Sequence, residues 1–197
     1  MNGQPKKICF VGGPSTGKTT LAICLTDELI KKNYSAEFVG EFARDYIIEH
    51  GSIKSPGEQL SIVRGQKEKE KMACSKNPEF IVCDVPIFLS HIYFHFLSDG
   101  ILDKKEAEQL DGIEKELWRG IKDDINSYDF VFFLPPELKP EEDGVRLFTD
   151  KIEEISNRID EFLHSHNIKH HELRGTVEAR TKEASRVIFG VSEIPNI

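Results

Sequence analysis

The chain has 197 residues, of which 39% are hydrophobic and 30% charged, and its formal net charge is −8 at pH 7. The length suits one α/β domain with a substantial core, and the composition excludes a disordered or fibrous protein. The acidic balance disfavours a duplex-DNA binder, and the lack of an apolar run long enough to span a bilayer predicts a cytoplasmic protein with no membrane partner.

Strand and helix patterns alternate through the first half of the sequence. Continuous apolar runs predict strands, and apolar residues at helical spacing predict helices. Together these patterns predict strands over residues 8–11, 36–39 and 80–83, and helices over residues 18–32, 42–50 and 56–76. The segment 66–71, inside the third helix, is nearly all charged with alternating sign, and we interpret it as a solvated helix face.

The second half continues the alternation. A helix is predicted after Pro86, with Phe88, Leu89 and Ile92 on its apolar stripe. Beyond it we predict helices over residues 110–125, 152–163 and 176–189, strands over 130–134 and 168–173, and a mobile polar loop over 137–149. This order predicts one P-loop α/β domain over residues 1–197, with about five parallel strands, helices on both faces and a lid loop near 137–149.

A phosphate-binding motif follows the first predicted strand, because residues 12–19 fit G-x-x-x-x-G-K-[ST] at every fixed position. Glycines let backbone N–H groups turn toward phosphates, and the helix N-terminus adds its positive end. Lys18 is then expected to reach the β- and γ-phosphates, and the Thr19 hydroxyl to bind Mg²⁺. An accidental glycine-rich turn is the alternative. The predicted ATP-binding residues are Gly12, Gly13, Pro14, Ser15, Thr16, Gly17, Lys18, Thr19 and Thr20.

Asp84 directly follows the third predicted strand, at the carboxyl edge of the sheet where α/β proteins bind ligands. A carboxylate placed there beside a P-loop is typical of a magnesium site, which predicts that Thr19 and Asp84 share the ion. The alternative is an Asp that starts a turn or caps a helix.

Glu41 and Arg44 follow the second predicted strand, which brings them to the same sheet edge. A carboxylate there can position an acceptor hydroxyl or take its proton, and an arginine one helical turn later can bind a negative group or the transferring phosphoryl group. The alternative is a helix-start carboxylate beside an exposed arginine.

The loop after the fourth predicted strand contains Asp143-Gly-Val-Arg146. An arginine on a closing loop can neutralise charge as the γ-phosphoryl group moves, and Gly144 can act as a hinge. Arg146 is therefore a candidate catalytic residue, although a solvated turn explains the same residues equally well. Four histidines between residues 164 and 171 lack a helical i,i+4 pair facing one way, which favours surface histidines over a metal site.

These motifs together resemble the nicotinamide riboside kinase domain of the bacterial NAD-biosynthesis regulator, within the AAA-like P-loop family. The resemblance spans nearly the whole chain and rests on residues 12–20, Glu41-Phe-Ala-Arg44-Asp45-Tyr46, Gln66, Asp84 and Asp143-Gly-Val-Arg146. It implies an adenylate-kinase-like parallel sheet, ATP as donor, and a nucleoside-like acceptor near Glu41, Arg44 and Asp84. It also implies that Arg146 is a lid residue. Gly40 departs from the tryptophan found before the glutamate in those regulators.

The leading hypothesis is a kinase that transfers the γ-phosphoryl group of Mg-ATP to a hydroxyl of a nucleoside-like small molecule, with nicotinamide riboside as one candidate. Lys18, Arg146 and Mg²⁺ would stabilise the moving phosphoryl group, and Glu41 would position or deprotonate the acceptor. One alternative is a kinase of nucleic-acid ends or modified bases, which needs a basic groove. Another is a regulatory nucleotide switch, in which Glu41 is a structural cap and the acceptor pocket is filled.

Overall fold

A computed structural model describes residues 4–99, 103–137 and 151–190 of the chain. No helix within these ranges is long and apolar enough to cross a membrane. The elements in chain order are β1 (Lys6–Val11), α1 (Lys18–Lys31), β2 (Ala36–Val39), α2 (Phe42–His50), a 3₁₀ turn (Pro56–Glu58), α3 (Gln59–Ser75), β3 (Phe80–Cys83), α4 (Leu89–Ser98), α5 (Lys104–Ile121), β4 (Phe130–Phe133), α6 (Ile152–Ser165), β5 (His171–Glu172) and α7 (Val177–Phe189).

The five described strands form one sheet in the order β2-β3-β1-β4-β5, and every neighbouring pair is parallel. β1 lies at the centre, where Ile8 pairs with Val82 on one side and with Phe130 on the other. The predicted five-stranded parallel sheet is confirmed. Because the strands are parallel, the segments that follow β1, β2 and β3 all emerge at one edge of the sheet.

Helices cover both faces of the sheet, as predicted. Alternate residues of a strand face opposite sides, so Ile8 and Phe10 join the core beneath α1 and α7, while Cys9 and Val11 join the core beneath α3, α4, α5 and α6. All four side chains are fully buried. Ile8, Phe10 and Val11 each contribute on the order of 1.5–3 kcal/mol through the removal of apolar surface from water. This burial stabilises the central strand, whose end carries the site.

Three of the elements whose boundaries differ from the predictions show larger differences. The helix predicted over 56–76 begins as a 3₁₀ turn at Pro56 and becomes α-helical only at Gln59. The helix predicted over 110–125 spans Lys104–Ile121 instead, because the Asp103 side chain caps its first turn by accepting from the backbone N–H of Glu106. The strand predicted over 168–173 has only two paired residues, since this edge strand has β4 as its single neighbour.

The interpretation of segment 66–71 as a solvated face is wrong for two of its residues, because Gln66 and Glu70 are each only 3% exposed. They are one helical turn apart and therefore face the interior together. One Glu70 carboxylate oxygen lies 2.6 Å from Lys7 Nζ, and the other accepts a 2.8 Å hydrogen bond from the Tyr128 hydroxyl. This network fastens α3 to the centre of the sheet.

Candidate active site

The segment after β1 curls into a phosphate-binding loop. Ser15 and Gly17 take positive φ angles of 59° and 89°, the left-handed conformation that turns successive N–H groups to one side. Gly12 allows a close approach of the chain, because a Cβ atom there would lie 2.5 Å from the backbone oxygen of Leu134. The loop is thus held against the end of β4 while its concave side faces outward to a ligand.

Lys18 and Thr19, the first residues of α1, direct their polar atoms into this loop. Lys18 Nζ donates to the carbonyl oxygens of Gly12 and Gly13 at 3.0 and 2.8 Å. The Thr19 hydroxyl donates to Asp84 Oδ2 at 2.7 Å. The helix N-terminus, an ammonium and a hydroxyl therefore meet at one point, which suits a nucleotide phosphate.

Asp84 sits just beyond β3 and is 1% exposed. Its Oδ2 accepts from Thr19, whereas its Oδ1 is buried and has no hydrogen-bond partner among the residues that the structure describes. Burial raises the pKa of this carboxyl group, and the bond from Thr19 acts in the opposite direction. An unpartnered buried carboxylate oxygen beside a hydroxyl is a donor pair that fits Mg²⁺.

Glu41 occupies the N-cap position of α2, yet its side chain makes no capping hydrogen bond. Its Oε2 instead accepts from Arg44 Nε at 3.3 Å. Burial is the main cause that raises the Glu41 pKa; the charge of Lys18 lowers it, that of Asp84 raises it and that of Arg44 lowers it. Because its pKa is raised and it does not cap the helix, the Glu41 carboxylate can accept a proton.

A cleft of about 1060 Å³, including the open space at its mouth, joins the phosphate loop to the surroundings of Glu41. Its walls come from the loop, α2, α3 and α4, and most of the wall opposite the loop is apolar. The lining residues are Pro14, Ser15, Thr16, Gly17, Lys18, Thr19, Thr20, Glu41, Ala43, Arg44, Ile47, Ile53, Gln59, Ile62, Gln66, Val85, Pro86, Ile87, Leu89, Ser90, Tyr93 and Leu97. Lys18, Glu41 and Arg44 are the charged members of this set, so the lining formed by the described residues is not a basic groove.

The structure brings most of the predicted site residues together. Residues 14–20, Glu41 and Arg44 line the cleft, and Asp84 lies behind Thr19. Gly12 and Gly13 are buried and shape the loop from within. The predicted lid, apart from Glu137, and Arg146 lie outside the described residues.

Gln66 is a cleft residue that the sequence analysis counted in the family resemblance but to which it assigned no role. Its Oε1 accepts from the backbone N–H of Phe42 at 2.8 Å, which fixes the amide. Its Nε2 is buried in the described part of the chain without a partner, at the wall of the cleft. The charged residues around Gln66 suggested an exposed helix face. The i,i+4 spacing of Gln66 and Glu70 is the signal in this segment that is compatible with a buried face.

The sequence analysis also assigned no role to Arg180 of α7, which contacts the phosphate loop on the side away from the cleft. It is 2% exposed, and its Nη1 donates to the carbonyl oxygen of Thr16 at 2.9 Å. Its Nη2 lies 3.0 Å from Glu137, which also accepts from the backbone N–H of Gly175. That backbone bond, followed by the bonds from Arg180 and Arg174, lowers the pKa of Glu137 to about 2. Arg180 therefore couples α7 to the phosphate loop.

Comparison with known proteins identifies the family. The model of the AAA domain family matches residues 7–180. No curated protein sequence matches the chain. The structure of NadR protein in complex with NR superposes with a TM-score of 0.75 and 21% identity, over 100% of this chain and 55% of that chain. A second NadR structure, with NAD and AMP-PNP, gives 0.72 and 20%, over 98% and 52%. The chain thus spans about half the length of these two relatives.

Two shorter kinases share the fold over nearly their full length. Deoxyadenosine kinase from M. mycoides with bound dATP gives a TM-score of 0.63 at 14% identity, over 93% of this chain and 99% of that chain. Thymidylate kinase from Ehrlichia chaffeensis gives 0.62 at 16%, over 95% and 100%. At these identities the likeness concerns the fold, and it confirms the predicted P-loop α/β architecture. The match to the AAA domain family and the two similar NadR structures agree with the resemblance stated in the sequence analysis.

Proposed function

We propose that this chain, which belongs to the AAA domain family, is a cytoplasmic ATP-dependent kinase that phosphorylates a hydroxyl of a nucleoside-like small molecule. The observation that carries the proposal is the single cleft that joins the phosphate loop to Glu41, Arg44 and Gln66. The similar NadR structures with NR and with AMP-PNP, and the deoxyadenosine kinase with dATP, support a nucleoside-like acceptor and ATP as donor. Nicotinamide riboside is one candidate acceptor.

The phosphate loop would hold the donor. Its N–H groups and the start of α1 would bind the β- and γ-phosphates, and Lys18 would exchange a bond to Gly12 or Gly13 for one to a phosphate oxygen. Thr19 and Asp84 would hold Mg²⁺, which supplies positive charge to the transferring group. Arg146 is proposed to add a further charge from the lid.

Glu41 would receive the proton of the acceptor hydroxyl. As the acceptor oxygen bonds to the γ-phosphorus, the bond to the leaving oxygen of ADP breaks and the proton passes to the Glu41 carboxylate. Its raised pKa makes the carboxylate a better base than an ordinary glutamate, while the 3.3 Å contact with Arg44 keeps it oriented. Burial and the nearby charge of Glu41 raise the pKa of Tyr93, which therefore lines the cleft as a neutral phenol.

Gln66 would recognise the acceptor itself. Its Oε1 is engaged by the N–H of Phe42, whereas its Nε2 has no partner among the described residues. Because Gln66 lines the cleft, this amide donor favours an acceptor that presents a carbonyl oxygen or ring nitrogen. The apolar wall beside it suits the face of a planar ring. A nucleoside combines such a ring with sugar hydroxyls that can reach Glu41.

The two alternative functions are less well supported. A regulatory switch requires a filled acceptor pocket and a capping Glu41, but the cleft is open and the Glu41 side chain makes no capping bond. A nucleic-acid kinase requires a basic groove, whereas the described lining carries two cationic side chains and one carboxylate.

The proposal is tested by ATP consumption and direct detection of phosphorylated product. The purified chain with Mg-ATP is offered nucleosides, including nicotinamide riboside, then nucleotides, and then short oligonucleotides. A nucleoside is expected to stimulate ADP formation above the hydrolysis rate and to yield one phosphorylated product per ADP. Stimulation by oligonucleotides alone would overturn the small-molecule assignment, and hydrolysis that no acceptor stimulates would favour the switch.

A further inference from the structure

Two histidines and a glutamate converge at the contact between α4 and α5, on a part of the molecule that the proposed reaction does not use. His91 and His95 are one helical turn apart on α4, and Glu114 projects from α5 toward both. The cleft residues of α4 lie on a different side of the same helix: Leu89, Ser90, Tyr93 and Leu97. The cluster is therefore separate from the phosphate site.

The three facing atoms have the separations of a metal-ligand set. His91 Nε2 lies 3.3 Å from His95 Nε2, and Glu114 Oε1 lies 3.7 and 3.2 Å from these two nitrogens. Ligand atoms held about 2.0–2.2 Å from zinc in a tetrahedron lie roughly 3.3–3.6 Å apart. The three edges of the triangle fall close to that range.

We propose that His91, His95 and Glu114 bind a divalent transition-metal ion of the zinc class that clamps α5 to α4. Two imidazoles and one carboxylate suit Zn²⁺, whereas Mg²⁺ prefers oxygen ligands. Water completes the coordination, since the cluster supplies three protein ligands.

Neighbouring aromatic rings fix the position of the His91 imidazole. Its ring packs between Trp118 of α5 and Phe162 of α6, with centroids 5.1 and 5.8 Å away, and its side chain is 12% exposed. Within the described residues, its Nδ1 has no hydrogen-bond partner, so its polar contacts lie on the Nε2 side.

The other two ligands provide access for the ion. The side chains of His95 and Glu114 are 44% and 39% exposed, so both can rotate to admit and release a metal. The comparable pair of His164 and Asp160 on α6 has one nitrogen 3.3 Å from one carboxylate oxygen, and its histidine side chain is 67% exposed. It offers two ligands instead of three and serves as a matched control.

The proposal is tested on the full chain after treatment with a chelator. Zn²⁺ affinity is measured by competition with a chromophoric chelator in excess Mg²⁺, which occupies oxygen-donor sites, and Co²⁺ is used to record the visible spectrum. The wild type should bind one Zn²⁺, give the intense absorption of tetrahedral Co²⁺, and melt at a higher temperature with Zn²⁺ than without it.

His95→Ala and Glu114→Gln should each weaken Zn²⁺ binding by at least the roughly 10–100-fold that loss of an outer-shell partner costs, and His164→Ala should bind as the wild type does. Both ligand variants alter partly exposed side chains, so each should keep the metal-free melting temperature of the wild type. Zn²⁺ binding that survives in both variants, or a wild type that binds no Zn²⁺ in the presence of Mg²⁺, would leave a hydrogen-bonded His–His–Glu cluster and overturn the proposal.

Discussion

Replacement of Arg180 by Met should remove the hydrogen bonds that hold the phosphate loop against α7. Met keeps an apolar side chain in place of the aliphatic part of Arg180. The guanidinium group is buried, donates to the carbonyl oxygen of Thr16 at 2.9 Å and pairs with Glu137 at 3.0 Å. Arg180 does not itself line the cleft, but it contacts the lining residue Thr16, so it is a positioning residue that acts through Thr16. Its loss should affect both stability and ATP binding.

The expected loss of stability follows from the hydrogen bonds that Thr16 and Glu137 lose when Arg180 is replaced. The Thr16 carbonyl belongs to a residue only 2% exposed, and a buried acceptor left without its donor costs about 1–3 kcal/mol. Glu137 is partly exposed and keeps its bonds to Gly175 and Arg174, so its share is about 1 kcal/mol or less. The sum is about 1–4 kcal/mol, which corresponds to a fall in Tm of about 2–16 °C for a chain of this size.

Urea denaturation and thermal melting measure the stability change, and the KM for ATP measures the effect on the loop. Arg174→Met is the matched control, because Arg174 pairs with the same Glu137 but its side chain is 60% exposed, so its loss should leave the stability close to that of the wild type. If Arg180→Met were as stable as Arg174→Met and had the KM for ATP of the wild type, the proposed coupling of α7 to the loop would be wrong.

Three further substitutions test the site. Asp84→Asn should abolish most turnover and raise the Mg²⁺ requirement while unfolding stays as difficult as in the wild type, because burial already disfavours this charge; unchanged Mg²⁺ dependence would contradict the metal role. Arg44→Gln removes a cation that lowers the Glu41 pKa, so the acid limb of kcat/KM should move to higher pH, and a limb that stays fixed or moves down would refute Glu41 as the titrating base. Gln66→Glu keeps an acceptor for the Phe42 N–H but removes the amide donor; the KM for the acceptor should rise by roughly 5–150-fold with little change for ATP, and an unchanged value would exclude Gln66 from acceptor recognition.

The sequence predicted the fold and the phosphate loop because both depend on local patterns. The four residues of β3 are apolar and buried, so their continuous run identified the strand with its observed bounds. The loop motif fixes the spacing between β1 and α1, which determines where Lys18 and Thr19 point. The position of Asp84 followed in turn, since parallel strands must end at the same edge of the sheet.

The residues that escaped prediction depend on tertiary contacts. Arg180 and Thr16 are far apart in the sequence, and no local sequence pattern predicts the contact between them. Gln66 lies in a charged segment whose alternating signs suggested solvent, yet packing of α3 on the sheet buries it. His91 and His95 do have a readable i,i+4 spacing, but their partner Glu114 belongs to the next helix.

The most direct test of the proposed kinase is acceptor-dependent phosphoryl transfer by Glu41→Gln, compared with Glu49→Gln as an exposed glutamate of the same helix. Single-turnover transfer to the stimulating acceptor and equilibrium binding of ATP are measured on the same preparations. Loss of a positioned general base should slow transfer by ~10²–10⁴-fold while ATP affinity stays close to that of the wild type, and Glu49→Gln should match the wild type in both. Transfer by Glu41→Gln at the wild-type rate would contradict the account.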